Sequence, residues 1–562
     1  MSRTRTTQPE YMERVAVRPR RTLLPFLAAG TAVLMMSLLI AVRALAQTGA
    51  SPDTTAPAAT PVPQFMNAPT QAGMDSALAV MLQEIAGEPL SLDEAIRLAL
   101  EGGSTLARRA AAELASARGT LRREHGAFDP ELFADILRSD REIRTANVFQ
   151  GADVLREETT TGVAGLRMLL PFGTELEASV DGNRSSSNSE FNLFDPAYGA
   201  DGRLSVRQPL LRGLGPGTSS ESKAARREEE AAVARFDDAR FAAEALVEQA
   251  YWDLYAAERD LGVQRLIVEQ AEALERQAEL RARTGLVGPV DVATARVFLS
   301  EQRQFLLDRE EDLDRISDRL ASVIGRRPQT GARFHPTDTP PERFPIEPEQ
   351  EVVNRAIRQN RDLAARERDL AAARARVQGA GWNRLPRLDV LGSIGGTGLT
   401  GRSDTLGIDE SFGDAFSDAT SREFPTWSAG VSLSFPLLLR EGRGEYDRLR
   451  GEAERLSQIH EEQRRVIEEQ VRAAHRALVR AERRLEAARL GVDASREQAR
   501  IGVLQYRSGQ TTAFELVRLG TDLATAQQRF SQALVRTAKA ASVLKFLTSG
   551  SIPDTNGGET RP

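Results

Sequence analysis

The sequence predicts an α+β membrane protein of two tandem helix–strand–helix repeats, with a tube of long helices beneath a wall of strands. Three observations predict it. The same ordered landmarks occur twice along the 562 residues. Several short segments alternate strictly between apolar and polar residues, the period of a strand with two unlike faces. Two very long stretches rich in Ala, Glu, Arg and Leu contain no proline, as uninterrupted helices require.

The duplication rests on three matched landmarks. Arg283-Thr-Gly-Leu-Val-Gly-Pro-Val-Asp291 aligns with Arg507-Ser-Gly-Gln-Thr-Thr-Ala-Phe-Glu515 at an offset of 224. The strand-to-helix junction at Pro209-Leu-Leu matches Pro436-Leu-Leu at an offset of 227, and Phe128-Asp-Pro130 resembles Arg384-Leu-Pro386 at 256. This places a first repeat at residues 88–330 and a second at 348–550, joined by a proline-rich equatorial linker at 331–347. Only the first strand region is longer than its counterpart.

The N-terminus reads as an export signal over residues 1–46. Arg18, Arg20 and Arg21 precede an apolar run at 23–42 that ends in Ala44-Leu45-Ala46, an A-x-A cleavage site. An uncleaved anchor is the alternative, since about 20 apolar residues span a bilayer. A Pro/Ala-rich linker is expected at 47–87. No other stretch is long and apolar enough for a membrane helix, so any membrane insertion must use strands.

In the first repeat, Ser91 and Glu94 form an S-x-x-E capping box before the periodic Ala95, Ile96, Ala99 and Leu100. The pattern predicts one helix to about His125. Strands are expected at about 130–138, 160–170, 174–183 and 203–210. A helix at about 219–283 follows, then a turn at 285–289 and a returning helix at about 290–324. The second repeat offers an opening helix at about 348–380, strands between about 386 and 436, a helix at about 445–506 and a return at about 513–547. At 1.5 Å per residue each long helix spans on the order of 90–100 Å. An opening and a returning helix, stacked end to end, match that length. The strands place charges on one face and aliphatics on the other, as a barrel wall between lipid and water does; a soluble sheet with one buried face gives the same period. Residues 396–424, which carry Asp404, Asp409, Glu410, Asp414 and Asp418, read as a soluble extracellular loop, and 551–562 as a disordered tail.

Composition narrows the function. Without residues 1–46, which carry seven Arg and two Glu, 67 basic residues face 78 acidic ones, a balance of −11. That argues against nucleic acid as a partner. The absence of cysteine excludes disulfides, thiolate metal sites and a cysteine nucleophile. His125, His335, His460 and His475 show no ligand spacing, and no nucleophile elbow or phosphate-binding loop occurs in a strand–helix context. No catalytic residue, metal site or cofactor is expected, and the chain is not read as an enzyme.

Taken together, the L-S-L-D-E-A-I opening at 90–96, the paired R-[ST]-G turns followed by an acidic residue, and the Pro-Leu-Leu junctions resemble the TolC family of outer-membrane efflux proteins over about residues 88–550. The resemblance implies a homotrimer in the cell outer membrane. Four strands per subunit would form one shared β-barrel, contiguous with a periplasmic α-helical barrel. It implies a passive exit duct for efflux or type I secretion, with a periplasmic adaptor (membrane fusion) protein and an inner-membrane RND or ABC transporter as partners. The first repeat departs from this pattern by offering more than two strands, so that either the subunit contributes six or the extra hairpin lies outside the barrel.

The same resemblance implies site residues. Rings of acidic residues close the family's periplasmic tip, and the matching positions are Asp291 and Thr294 in the first repeat and Glu515 and Arg518 in the second. Arg518 departs from the acidic pattern and is expected to pair with carboxylates. Ordinary helix starts also favour Asp and Glu, through the helix dipole. Arg283, Gly285, Arg507 and Gly509 match the adaptor-docking turns; glycine also serves a helix reversal there. Two other classes stay open: a periplasmic adaptor, whose helical hairpin occurs once rather than twice, and a coiled-coil scaffold without membrane strands.

Overall fold

The computed structural model describes residues 78, 80–145, 151–285, 288–329, 333–403, 405–508 and 510–550. The expected signal at 1–46, the linker up to residue 77, the tail at 551–562 and Gly509 lie outside them. No described helix is long and apolar enough to cross a membrane.

The chain opens with β1 (Glu88–Leu90) and α1 (Leu92–Leu98), whose N-cap Ser91 accepts a hydrogen bond from the Glu94 amide. The helix expected to run unbroken to His125 does not. A π-turn at Ala99–Gly103 is broken at Gly102, with φ 137°, and Ser104 caps a new helix, α2 (Thr105–Gly126). Gly102-Gly103 permits the left-handed kink, and a serine after it supplies the cap that the restarted helix needs. Four long strands follow: β2 (Glu131–Arg144), β3 (Val154–Leu169), β4 (Glu175–Ser187) and β5 (Ala197–Pro209). Pro216, at the start of α3 (Pro216–Arg283), opens a helix of 68 residues, and α4 (Pro289–Ile324) returns along it.

The segment expected to be an irregular linker contains β6 (Phe334–Pro336), which pairs in parallel with β1. The second expected opening helix is also broken. Asn360 leaves α5 (Glu349–Gln359) in an extended conformation and caps α6 (Arg361–Asn383), accepting from the Leu363 amide. Then come β7 (Arg387–Ser403), β8 (Ile408–Asp409), α7 (Phe412–Ser421) and β9 (Phe424–Ser434). Finally α8 (Arg440–Arg507), again 68 residues, is followed by the return α9 (Ala513–Leu547). Each 68-residue helix is on the order of 100 Å long.

Helix packing follows from small residues on shared faces. Helix α2 and α6 flank the sheet-proximal half of α3, joined by Arg118–Glu229 at 3.3 Å and Arg376–Glu228 at 2.7 Å. Helix α4 lies along the distal half, through Arg303–Glu272 at 2.8 Å and Gln264 on Gln302. Two of the three lysines tie α9 to α3: Lys539 reaches Asp253 at 2.7 Å, and Lys545 reaches Glu244 at 2.5 Å and Glu248 at 3.0 Å. The expected linker at 47–87 ends early. Leu78 and Ile85 are buried, Leu78 against Val263 and Ile267 of α3, because apolar residues spaced along a helical turn find an apolar groove.

The densest core sits at the equator, where the two helix breaks, β1 and β6 meet α3. Tyr251, Leu254, Leu261, Leu313, Leu320 and Phe334 are all fully buried there. The Tyr251 hydroxyl lies 2.9 Å from the Leu90 carbonyl and 2.9 Å from Asp338. Beside this core, the buried Glu258 carboxylate approaches His335 Nδ1 at 3.0 Å. Burial pushes the Glu258 carboxyl up to about 8, against the pull of Arg333. Burial also pushes His335 down. A carboxyl raised in the fold keeps its proton where the unfolded chain has lost it, so its contribution is full below the unfolded value of 4.5. That contribution is lost as pH rises through about 8. Glu258→Gln should therefore flatten the fall in melting temperature between pH 5 and pH 8; a variant that keeps the wild-type slope would show that Glu258 is not its source.

The six long strands form one antiparallel sheet in the order β2-β3-β4-β5-β7-β9, with β8 paired to the far end of β7. Directly paired residues share a face. One row runs Leu132, Leu166, Ala178, Leu204, Ile394, Trp427 across all six strands. The adjacent row on the opposite face runs Glu131, Arg167, Glu177, Ser205, Ser393, Ser428. The apolar face is exposed: Leu132 is 80% and Trp427 79% accessible. The charged face is hollowed, enclosing about 580 Å³ lined by Glu131, Arg167, Glu177, Arg203, Arg207 and Ser428 among others.

Residues 396–424, expected to be a soluble loop, are largely structured. Strand β7 continues to Ser403, and α7 lies against the apolar face with Ala415 and Ala419 buried. A Cβ at Gly396 or Gly398 would sit 2.3 or 2.0 Å from the Ala419 or Ala415 carbonyl oxygen, so only bare backbone admits the helix. Asp414, one of the acidic residues of that segment, is used as a cap, accepting from the Ser411 amide at 2.8 Å.

Candidate gate and docking tip

Both helix reversals lie at the end of the long helices away from the sheet, and the two hairpin tips pack on each other. Leu274 of α3, Ala295 of α4, and Leu516 and Val517 of α9 form one buried cluster. The sequence predicted two separate tip turns; their joining depends on α9 crossing onto α3, which no local pattern encodes.

Asp291 is the third residue of α4 and closes a capping arrangement, its Oδ2 accepting from the Gly288 amide at 3.0 Å. Thr294 is exposed and donates to the Val290 carbonyl at 2.9 Å. Asp291 thus serves its own helix start, as the plain reading of a first-turn acid holds. In the second hairpin, Thr512 caps α9 by accepting from the Glu515 amide at 3.2 Å. The Glu515 carboxylate meets Arg518 at 2.9 Å, one helical turn on. Arg518 pairs as the sequence suggested. Within a subunit the second hairpin offers an ion pair rather than a bare carboxylate.

At the first reversal, Arg283 is exposed at the last turn of α3, and Gly285 adopts φ +74° with nothing within 4 Å of an added Cβ. The positive φ, not crowding, is what calls for glycine here. Arg507 ends α8; Gly509 is outside the described residues. Around these turns Leu280, Val290 and Phe514 are exposed at 61, 76 and 57%, an apolar rim on an otherwise polar helix end.

Sequence reasoning missed the salt-bridge lattice that stiffens the first hairpin, where Arg296 spans Glu275 at 3.1 Å and Glu279 at 2.7 Å. It also missed the pairs on the hollow face of the sheet. Arg207 meets Glu175 at 2.8 Å and the buried Asp389 at 2.9 Å, and Arg167 meets Glu131 at 2.8 Å. The alternation of Glu175 and Glu177 with Leu176 and Ala178 marked this face as charged, but not its partners. Arg207 and Asp389 stand 182 residues apart.

The architecture can now be set beside known proteins. The family model of the outer membrane efflux proteins matches residues 170–326 and 352–550, more than half of the chain. This chain is an outer membrane efflux protein. Solved structures agree with its fold. The outer-membrane channel OprN superposes with a TM-score of 0.59 at 18% identity, covering 89% of this chain and 98% of its own. The CmeC outer membrane channel of Campylobacter jejuni gives 0.59 at 13% identity, over 82% and 86%. The open state of the Neisseria gonorrhoeae MtrE outer membrane channel gives 0.56 at 19%, over 83% and 90%. No curated protein matches the chain in sequence. As a member of this family the efflux protein belongs to the outer membrane and extends into the periplasm. It serves there as an exit duct for efflux, in a family of channels rather than enzymes.

Proposed function

We propose that this efflux protein is the passive outer-membrane duct of a tripartite efflux or type I secretion system. Three copies would join their sheets into one β-barrel and their helices into a periplasmic tunnel, with each subunit built from repeats at 88–330 and 348–550. A periplasmic adaptor would dock at the tips around Arg283, Gly285, Arg507 and Gly509, and an inner-membrane RND or ABC transporter would supply the energy. The observation that carries this reading is a sheet whose apolar face is exposed and whose charged face is hollow, joined directly to helices of 68 residues. Exposed Leu132, Ile394 and Trp427 suit lipid, and the hollow suits water. An adaptor or a free scaffold would have to leave that apolar face in water. Fractionation tests the reading: heat-modifiable trimers released from outer membranes only by detergent are expected, and a monomer in the soluble periplasmic fraction would overturn it.

The tip would act as the gate, with Asp291, Thr294, Glu515 and Arg518 around the axis. Three Glu515–Arg518 pairs would leave only the Asp291 carboxylates uncompensated, whereas unpaired Glu515 carboxylates would double that negative charge and favour cations. Arg518→Ala should change stability by no more than about 0.5 kcal/mol, because the pair is exposed. It should nevertheless raise cation selectivity, read as a shifted reversal potential in planar bilayers under a salt gradient. An unshifted reversal potential would take Glu515 and Arg518 out of the gate.

A further inference from the structure

The sheet has two open edges. Strand β9 is exposed along its whole length and β2 along nearly all of it. Long exposed edges carrying apolar residues invite uncontrolled pairing unless another strand covers them. Resting on the duct reading above, we propose that all six long strands are barrel wall. In this arrangement β9 of one subunit pairs with β2 of the next, so that three copies close an eighteen-stranded barrel. The family resemblance implied four strands per subunit, hence twelve.

Four observations carry the count. First, the chain enters the sheet through β2, only four residues after α2 ends at Gly126. The strand fed by that helix starts toward the helical end of the sheet, with Glu131 in the row of Ser393 and Ser428. Second, the apolar row reaches β2 unbroken, and Leu132 at its end is as exposed as Trp427 at the other. A hairpin lying outside the wall would have no need to keep its apolar residues in register with the rest. Third, the apolar stretch on these strands gives way to polar residues at one shared pairing row. Arg138, Thr160, Arg184, Tyr198 and Thr400 form one row above Ile136, Gly162, Gly182, Ala200 and Gly398. Charged residues and a tyrosine mark a membrane–water boundary, and here it runs from β2 through β7. Fourth, the strands alternate in direction across the sheet, so β2 and β9 run oppositely. A neighbouring copy brings its β2 antiparallel to β9, and the head-to-tail contact closes into a ring with an even strand number.

The consequence is a wider pore. With strands about 4.8 Å apart and tilted by about 40°, eighteen strands enclose a backbone cylinder of roughly 36 Å diameter, against roughly 24 Å for twelve. The charged rows of β2 and β3, including the Glu131–Arg167 pair, would line that lumen beside Arg207 and Glu175.

The absence of native cysteine makes the test direct. Leu132→Cys and Asp135→Cys, on opposite faces of β2, are each spin-labelled in trimers reconstituted in phospholipid. The label at 132 should be accessible to oxygen and the label at 135 to a water-soluble nickel chelate. In parallel, Ala134→Cys is combined in turn with Trp427→Cys, Ala429→Cys and Val431→Cys, and oxidised in the membrane. At least one pair should give covalent trimers on a denaturing gel. The same β9 positions combined with Ala178→Cys in β4 should give none. Nickel access at both 132 and 135, or cross-links from β4 instead of β2, would place β2 and β3 outside the wall. Either result would overturn the eighteen-strand barrel while leaving the duct intact. Failure to recover any trimer from the outer membrane would overturn the duct reading and this inference together.

Discussion

Ile394→Arg should abolish heat-resistant trimers in outer-membrane fractions, while Ser393→Arg, one residue earlier, should leave them assembled. The two positions differ only in the face of β7 they occupy. Ile394 lies in the apolar row, between Leu204 and Trp427. Ser393 lies on the hollow face, its hydroxyl 2.8 Å from that of Ser428. An arginine at the bilayer midplane costs about 2–4 kcal/mol, and a trimer would carry it three times. An arginine facing the lumen joins Arg167, Arg203 and Arg207, which are already solvated or paired there. Equal assembly of the two variants would mean that the apolar face does not meet lipid.

Gly325→Val should cost about 3 kcal/mol or more and lower the yield of folded protein severely, whereas Gly285→Ala should cost about 1 kcal/mol. Both glycines follow a helix end in the left-handed region, at φ +73° and +74°. Left-handed strain is therefore common to the two. Surroundings separate them. A Cβ at Gly325 would stand 2.6 Å from the Gly103 backbone, and one at Gly103 would stand 1.7 Å from the Ile324 carbonyl oxygen. The end of α4 and the kink between α1 and α2 touch backbone to backbone, so neither can yield without opening the equatorial core. At Gly285 the space is empty. Denaturant unfolding of the two variants measures the difference, and equal losses would show that strain alone sets the cost.

Much of the fold was legible because it is written in local periodicity. The long helices were expected at about 219–283 and 445–506 and run over Pro216–Arg283 and Arg440–Arg507. The strands of the first repeat were placed close to where they stand, since alternation is a property of five or six neighbouring residues. The breaks at Gly102 and Asn360 were not foreseen, because the apolar spacing on either side continues through them. What stops each helix there is contact with the equatorial strands and the other hairpin. At the tip, Arg518 was expected to pair and does, with Glu515, because the partners lie one helical turn apart. Asp291 is engaged as a cap on the Gly288 amide, whereas Glu515 is turned to Arg518 and Thr512 supplies the cap of its helix.

By itself, then, the sequence determined the type, length and order of most elements, and the unlike faces of each strand. These follow from residues within a turn or a few positions of one another. Only the tertiary structure decided that six strands share one sheet, that α7 lies on its apolar face, and that Lys539 and Lys545 bind the second hairpin to α3. It alone brought Arg207 to Asp389. Such pairings join residues hundreds of positions apart, and their energies depend on which surfaces meet once the helices have formed. No periodicity along a single chain records that choice.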